Sequence, residues 1–207
     1  MKYLKLVITF IATITVFYGF NTKLGSVPPI GKFLDPAGGV WQNDQEETID
    51  GNVNIQGLSA PVTIHYDEQL IPHIFAQNDL DLYKAQGYIT AKHRLWQMEF
   101  QTHAAAGRIS ELIGSAGLNY DRSERRRGMG FGAEKALEKM RENPEAIKFL
   151  EAYRDGVNSY IISLDAKTFP VEYKLLDYKP EAWTTKKTML LLMYMTKMLA
   201  GGDNDLE

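Results

Sequence analysis

Cysteine is absent from all 207 residues. That excludes a disulfide framework, thiolate zinc sites, a cysteine nucleophile and a lipid-anchoring cysteine, while leaving the redox compartment open. An excess of one charge is also missing: 23 Lys and Arg against 26 Asp and Glu give a net charge of −3. This is too balanced for a phosphate backbone or an anionic membrane to be the main partner, so no nucleic acid is expected. There is no internal repeat and no low-complexity segment. The chain contains no Gly-x-Ser-x-Gly elbow, no Ser-x-x-Lys and no His-Glu-x-x-His, so none of the common local signatures of a serine or zinc hydrolase is present. Its four histidines, His65, His73, His93 and His103, lack the spacing of a metal face and read as packed or surface imidazoles.

What is there is ordinary globular material: 44% hydrophobic, 24% charged and 11% aromatic residues, enough for one core. Length alone predicts a single self-sufficient domain. At the start, Lys2 and Lys5 precede an uncharged apolar run over 6–20, the arrangement of an export signal. The run is short for a comfortable membrane span and the small-residue cleavage pattern after it is poor, so residues 1–22 read as a signal peptide or an uncleaved N-terminal anchor. Residues 23–57 are rich in Gly and Pro without a sustained period and read as an extended lead-in, with Val40 and Trp41 pinning it locally.

From residue 58 the chain is patterned. Val62, Ile64 and Tyr66 alternate with Thr63 and His65, Asp67-Glu68-Gln69 supplies turn chemistry, and His73 to Ala76 follows, which predicts a β-hairpin near residues 62–76. Leu82, Ala85, Ile89, Trp96 and Phe100 then fall at helical spacing behind Asp79 as N-cap, predicting one long helix with a kink at Gly87. A short helical piece over 108–113 leads into a polar loop through Arg127. Phe131, Ala133, Ala136, Leu137 and Met140 share a helical face, and Asn143-Pro144 ends that helix and opens the next, with Pro144 at its first position. Residues 184–200 are apolar almost all round, which predicts a helix buried on several sides. The loop triplet Arg125-Arg126-Arg127, with Asp121 and Glu124 near it, reads as an ion-paired surface, with an anion-binding loop as the alternative.

One string of local patterns is specific. In order, it runs Val62-x-Ile64-x-x-Asp67, Ile71-Pro72-His73-Ile74-x-Ala76, Asp79-Leu80, Gln86-Gly87-Tyr88-Ile89-x-Ala91, Arg94-Leu95-x-Gln97-Met98-Glu99 and Gly107-Arg108-Ile109-Ser110-Glu111-Leu112-x-Gly114. Tyr153-x-x-Gly156-Val157-Asn158 and Pro170-x-Glu172-Tyr173-x-Leu175-Leu176-x-Tyr178-x-Pro180-Glu181-x-Trp183 continue it. This succession resembles the alpha chain of the penicillin acylase family over residues 58–207. Leu70 departs from it where glycine is usual, His93 where aspartate is usual, and Thr102-His103 where an arginine pair is common.

The resemblance implies an α+β fold: a mostly helical alpha-chain part of a four-layer αββα N-terminal nucleophile hydrolase sandwich, incomplete without a beta chain cut from the same precursor. It implies a serine at the start of that beta chain attacking an amide, its own α-amino group acting as base. No catalytic residue is therefore expected in this chain, and the chain alone is expected to be inactive. A small acylated amine, of the β-lactam or N-acyl homoserine lactone type, is the implied substrate of an exported, periplasmic enzyme. The family's last long alpha-chain helix lines the acyl pocket, which assigns that role to Tyr194, Met195, Met198 and Leu199; on spacing alone these are ordinary core residues. The family also takes one glutamate after this helix into a calcium site shared with the beta chain, which assigns Glu207, ahead of Asp205, as a hard oxygen ligand. Arg94, Glu99, Arg108 and Glu111 are expected as framework ion pairs, and Gly87 and Gly107 as points of close helix approach. The alternative from the residues alone is a catalytically inactive, membrane-anchored helical binding module.

Overall fold

The structure, a computed structural model, describes residues 2–23, 28–44 and 51–200; Asp205 and Glu207 lie outside them. In chain order the described elements are α1 (Lys2–Asn21), α2 (Ile30–Phe33), a 3-10 turn (Val40–Asp44), β1 (Thr63–Tyr66), β2 (Pro72–Phe75), α3 (Asp79–Ala106) and α4 (Ser110–Ile113). A second 3-10 turn (Gly114–Gly117), α5 (Leu118–Arg127), α6 (Met129–Met140), α7 (Pro144–Ser163), α8 (Val171–Leu176) and α9 (Thr185–Ala200) follow. Two compact units result, one from residues 1–46 and 165–179, the other from 47–164 and 180–207.

In the first unit, α1 is the apolar run, solvent-exposed along its length. Thr9, Thr13 and Thr15 return their hydroxyls to carbonyls four residues back, which hides the polar groups within the helix. Residues 3–21 are long and apolar enough to cross a membrane, a test that a signal sequence also passes. Lys32 reaches Asp177 at 2.9 Å, and Lys174 donates to Gly39 O, Asn43 Oδ1 and Lys167 O, tying α2 and the 3-10 turn to α8 and the segment before it. Trp41 is exposed, its indole N–H donating to Leu34 O at 3.2 Å.

In the second unit the predicted hairpin is present, antiparallel, with Thr63 opposite Phe75 and His65 opposite His73. Its turn is held by Asp67, whose carboxylate accepts the amides of Gln69 and Ile71. Leu70 sits in that turn with φ +60°, the left-handed region. The departure from glycine noticed in the sequence therefore falls where glycine is the unstrained residue, and leucine there costs on the order of 1 kcal/mol or more.

Helix α3 opens one residue earlier than expected, with Asn78 as cap accepting from Asp81 N–H at 2.9 Å. Its break lies at Arg94 (φ −143°, ψ 21°) rather than at Gly87. Gly87 is helical, and its missing Cβ admits the Tyr153 backbone of α7; a Cβ there would stand 2.2 Å from Tyr153 O. Gly156 returns the arrangement, the Lys84 carbonyl occupying the space a Cβ would need, so α3 and α7 lie backbone to backbone. The break shifts the buried face: Ala85, Tyr88 and Ile89 precede it, Leu95, Met98 and Glu99 follow it, and Phe100 turns outward.

Residues 118–127, expected as a loop, form α5. Three arginines in its last turn complement the helix dipole, and Gly128 stops it in the left-handed conformation at φ +73°. Its inward residues are Asp121 and Glu124, acids instead of hydrophobes, so no apolar period marks it. Asp121 accepts the amides of Ile109 and Ser110 and the Ser110 hydroxyl, anchoring the start of α4. On α6, Ala133 and Leu137 are buried as expected whereas Phe131 is exposed. Asn143 caps α7 and Pro144 begins it, as read from the sequence. Ala105, Ala133, Leu137, Met189 and Leu190 form one core cluster, joining α3, α6 and α9.

Candidate functional site

Helix α9 carries the predicted acyl-pocket residues, and its approach is set by the segment just before it, at Glu181 and Trp183. Trp183, 1% exposed, donates its amide to Asn158 Oδ1 at 2.7 Å, accepts Asn158 Nδ2 on its carbonyl at 2.9 Å, and donates its indole N–H to Thr188 Oγ1. The Asn158 and Trp183 signatures are thus two sides of one clamp. Around it lies an ion network, buried at Lys187 and Glu99 and half-exposed at Arg108, Glu181 and Glu111. Lys187 Nζ lies 3.4 Å from Glu99 and 3.1 Å from Glu181, and 5.7 Å above the Trp183 ring. Arg108 bridges Glu181 and Glu111, and Glu99 accepts the amide of Glu181 at 2.9 Å. The Arg108 hydrogen bond, together with Lys187, outweighs burial and holds the Glu181 carboxyl down at about 2.

Glu99, His103 and Glu181 place one ligand atom each within 4.8 Å of one another. Their carboxylates face Lys187 and Arg108, so the positive charge a metal would bring is already supplied by the chain. Of the expected framework pairs, Arg108 and Glu111 meet, Glu99 takes Lys187 as its cation, and Arg94 is exposed. Two departures from the family pattern have local partners: His93 Nε2 lies 2.9 Å from the Tyr66 hydroxyl, and buried His103 has Nδ1 2.9 Å from Glu99 O.

Beyond Leu190 the helix changes character. Met193 and Tyr194 pack against the core cluster, and Lys197 reaches Glu124 at 2.7 Å. The other side stands open: Met195 is 57% exposed, Met198 65% and Leu199 85%, with Leu192 beside them. The structure therefore splits the four predicted pocket residues. Met195, Met198 and Leu199 share an open apolar face at the end of α9, and Tyr194 turns back toward the core. The expectation of burial on several sides holds for the first half of α9, whose anchors are Lys187, Met189 and Leu190, and not for the second. Glu124 pairs with Arg127, in keeping with the ion pairing read for that stretch, but its pairing with Lys197 escaped the sequence reading because the two are 73 residues apart.

Helices α3, α6, α7 and α9, a leading hairpin, and a last helix buried in its first half and open in its second are the frame on which the sequence motifs sit. The Penicillin amidase family model matches residues 61–207. The chain belongs to that family. It is 38% identical over 135 residues, 65% of this chain and 17% of the relative, to a penicillin acylase 2 proenzyme of Pseudomonas sp. (strain SE83). It is 29% identical over 189 residues, 89% of this chain and 22% of the relative, to the acyl-homoserine lactone acylase QuiP of Pseudomonas aeruginosa. The chain thus spans about a fifth of the length of these curated relatives. A thermostable penicillin G acylase from Alcaligenes faecalis shares the fold, with a TM-score of 0.61 at 24% identity, covering 70% of this chain and 77% of that one.

Proposed function

We propose that this penicillin amidase family chain is the alpha-chain part of an exported amidohydrolase that cleaves the amide of an N-acylated small molecule. The observation that carries the reading is the family match over residues 61–207 joined to the open apolar face of Met195, Met198 and Leu199. Thioether and aliphatic side chains adapt to an irregular acyl group and exclude water from it. In this reading the serine lies at the N-terminus of a beta chain from the same precursor and completes the four-layer sandwich. Its oxygen bonds to the amide carbon as the α-amino group takes the hydroxyl proton. The C–N bond then breaks, the amine leaves with that proton, and water hydrolyses the ester to release a carboxylic acid.

The role of this chain is to bind and to support: α9 presents the acyl wall, and the Trp183 clamp and the Lys187 network hold its base. Residues 3–21 serve as the export signal, with retention as an anchor if they stay uncleaved. Glu207 is the chain's proposed contribution to a structural calcium ion, as a hard carboxylate donor. Penicillin-like and N-acyl homoserine lactone-like molecules share the required acyl-to-amine linkage, and both relatives' names support that class.

Expression of the complete reading frame followed by intact-mass analysis tests this. The expected product is two chains, the second beginning with serine. A single uncut chain, or a stop codon after residue 207 with no partner gene, would instead favour the membrane-anchored binding module.

A further inference from the structure

Glu124 is 2% exposed on α5, and a carboxylate at that depth requires compensation. Its Oε1 receives Lys197 Nζ from α9 at 2.7 Å and Arg127 from its own helix at 2.6 Å. Its Oε2 is buried without a hydrogen-bond partner among the described residues. Leaving that lone pair unmet costs stability, and an apolar side chain at 124 could pack without the cost. Stability alone therefore does not account for an acid at this position. What a charged pair supplies and an apolar contact does not is direction.

That direction bears on α9. Lys197 is two residues from Met195 and two from Leu199, about 160° around the helix from each. Its ammonium also stands 6.0 Å from the ring centroid of Tyr120, one turn before Glu124 on α5. Burial first, then the charge of Glu124 and the neighbouring Tyr194, hold the Tyr120 phenol protonated, as expected of side chains gathered in one patch. So on the back of α9 Lys197 is fastened to α5 and Tyr194 packs on the core cluster, while among the described residues its front at Met195, Met198 and Leu199 is left open.

We propose that Glu124 and Lys197 are positioning residues for the acyl-binding face, fixing the rotation of the last two turns of α9 and so which side chains an acyl group meets. The inference rests on reading that face as the acyl wall, and its test separates the two. In the complete enzyme, Lys197→Met, Lys197→Arg, Glu124→Gln and Met195→Ala are compared on N-acylated amines with short and long acyl groups.

Lys197→Met and Glu124→Gln should each raise KM for the preferred acyl group roughly tenfold and flatten the preference, with kcat nearly unchanged. Lys197→Arg, which preserves the charge, should restore both. If Met195→Ala shifts the preference while Lys197→Met and Glu124→Gln leave KM and preference as they were, the positioning role is wrong and the acyl wall stands. If Met195→Ala has no effect either, the acyl wall itself falls, and the inference with it. Should both Lys197→Met and Glu124→Gln fail to mature, and Lys197→Arg mature with a flattened preference, the pair is merely structural and the inference is overturned.

Discussion

Residues 185–191 of α9 carry two Thr and two Lys beside Met189, Leu190 and Leu191, and residues 192–200 are the more apolar, yet Met189 and Leu190 are buried where Met195, Met198 and Leu199 are open. Composition alone would predict the reverse. What separates them is what they meet. The first half faces α3 and α6 and is entered through Trp183, which Asn158 grips by backbone and indole is held by Thr188. Among the described residues, the second half meets its neighbours on one side, through Tyr194 and the Lys197–Glu124 pair. An apolar helix therefore says that burial is wanted, and the surrounding elements decide where this chain provides it.

If the first half is framework, truncating its anchor should hurt most. Trp183→Ala in the complete protein should lower stability by about 3–5 kcal/mol, read as a shifted denaturation midpoint at unchanged slope, because it empties a fully buried indole site. Lys187→Met should follow at roughly 3 kcal/mol, since it leaves Glu99 buried without its ammonium, although Arg108 still serves Glu181.

Acid should act on the same half. Glu181 is held at about 2, below the ordinary carboxylate value near 4.5. A depressed carboxyl contributes stability that is full above about 4.5 and is lost as pH falls through about 2, so thermal melting should show a loss across that window that Glu181→Gln diminishes. Asp81, held at about 2 from an ordinary 3.8, loses its contribution over the narrower window between these values: burial opposes its charge, and hydrogen bonds from Ser59, Asn78 and Ala60 overcome that.

The smallest effects on stability belong to the second half. Met195→Ala or Met198→Ala should change it by less than about 0.5 kcal/mol, because no packed cavity is opened. The same variants should alter acyl-group preference, measured as the ratio of kcat/KM between two acyl lengths. A loss of several kcal/mol for Met198→Ala would remove the distinction between the halves. Residues 1–207 expressed alone should aggregate through the open face, and Leu192→Lys with Met198→Lys should reduce that on size-exclusion chromatography.

Much of the fold was legible where local chemistry decides it. Alternation from Val62 to Tyr66 located the hairpin, and Asn143-Pro144 located a helix boundary, because strand period and cap chemistry act over a few residues. The break at Arg94 was not legible: no proline or glycine stands beside it to mark it. Helix α5 was missed because its buried side is Asp121 and Glu124, which a search for apolar period passes over. For the candidate site, the succession of family motifs located α9, but helical spacing alone could not say that Tyr194 turns inward while Met195 turns out. Tyr194 packs on the core cluster, and Lys197 meets Glu124 from 73 residues away, contacts that no local pattern encodes.

The central claim is that this chain supplies the acyl wall and framework of an amidohydrolase whose nucleophile lies elsewhere in the precursor. Amine release from an N-acylated substrate, measured side by side for the complete gene product and for residues 1–207 alone, tests it most directly. The account predicts turnover by the complete product and none by residues 1–207; robust hydrolysis by residues 1–207 alone would contradict it.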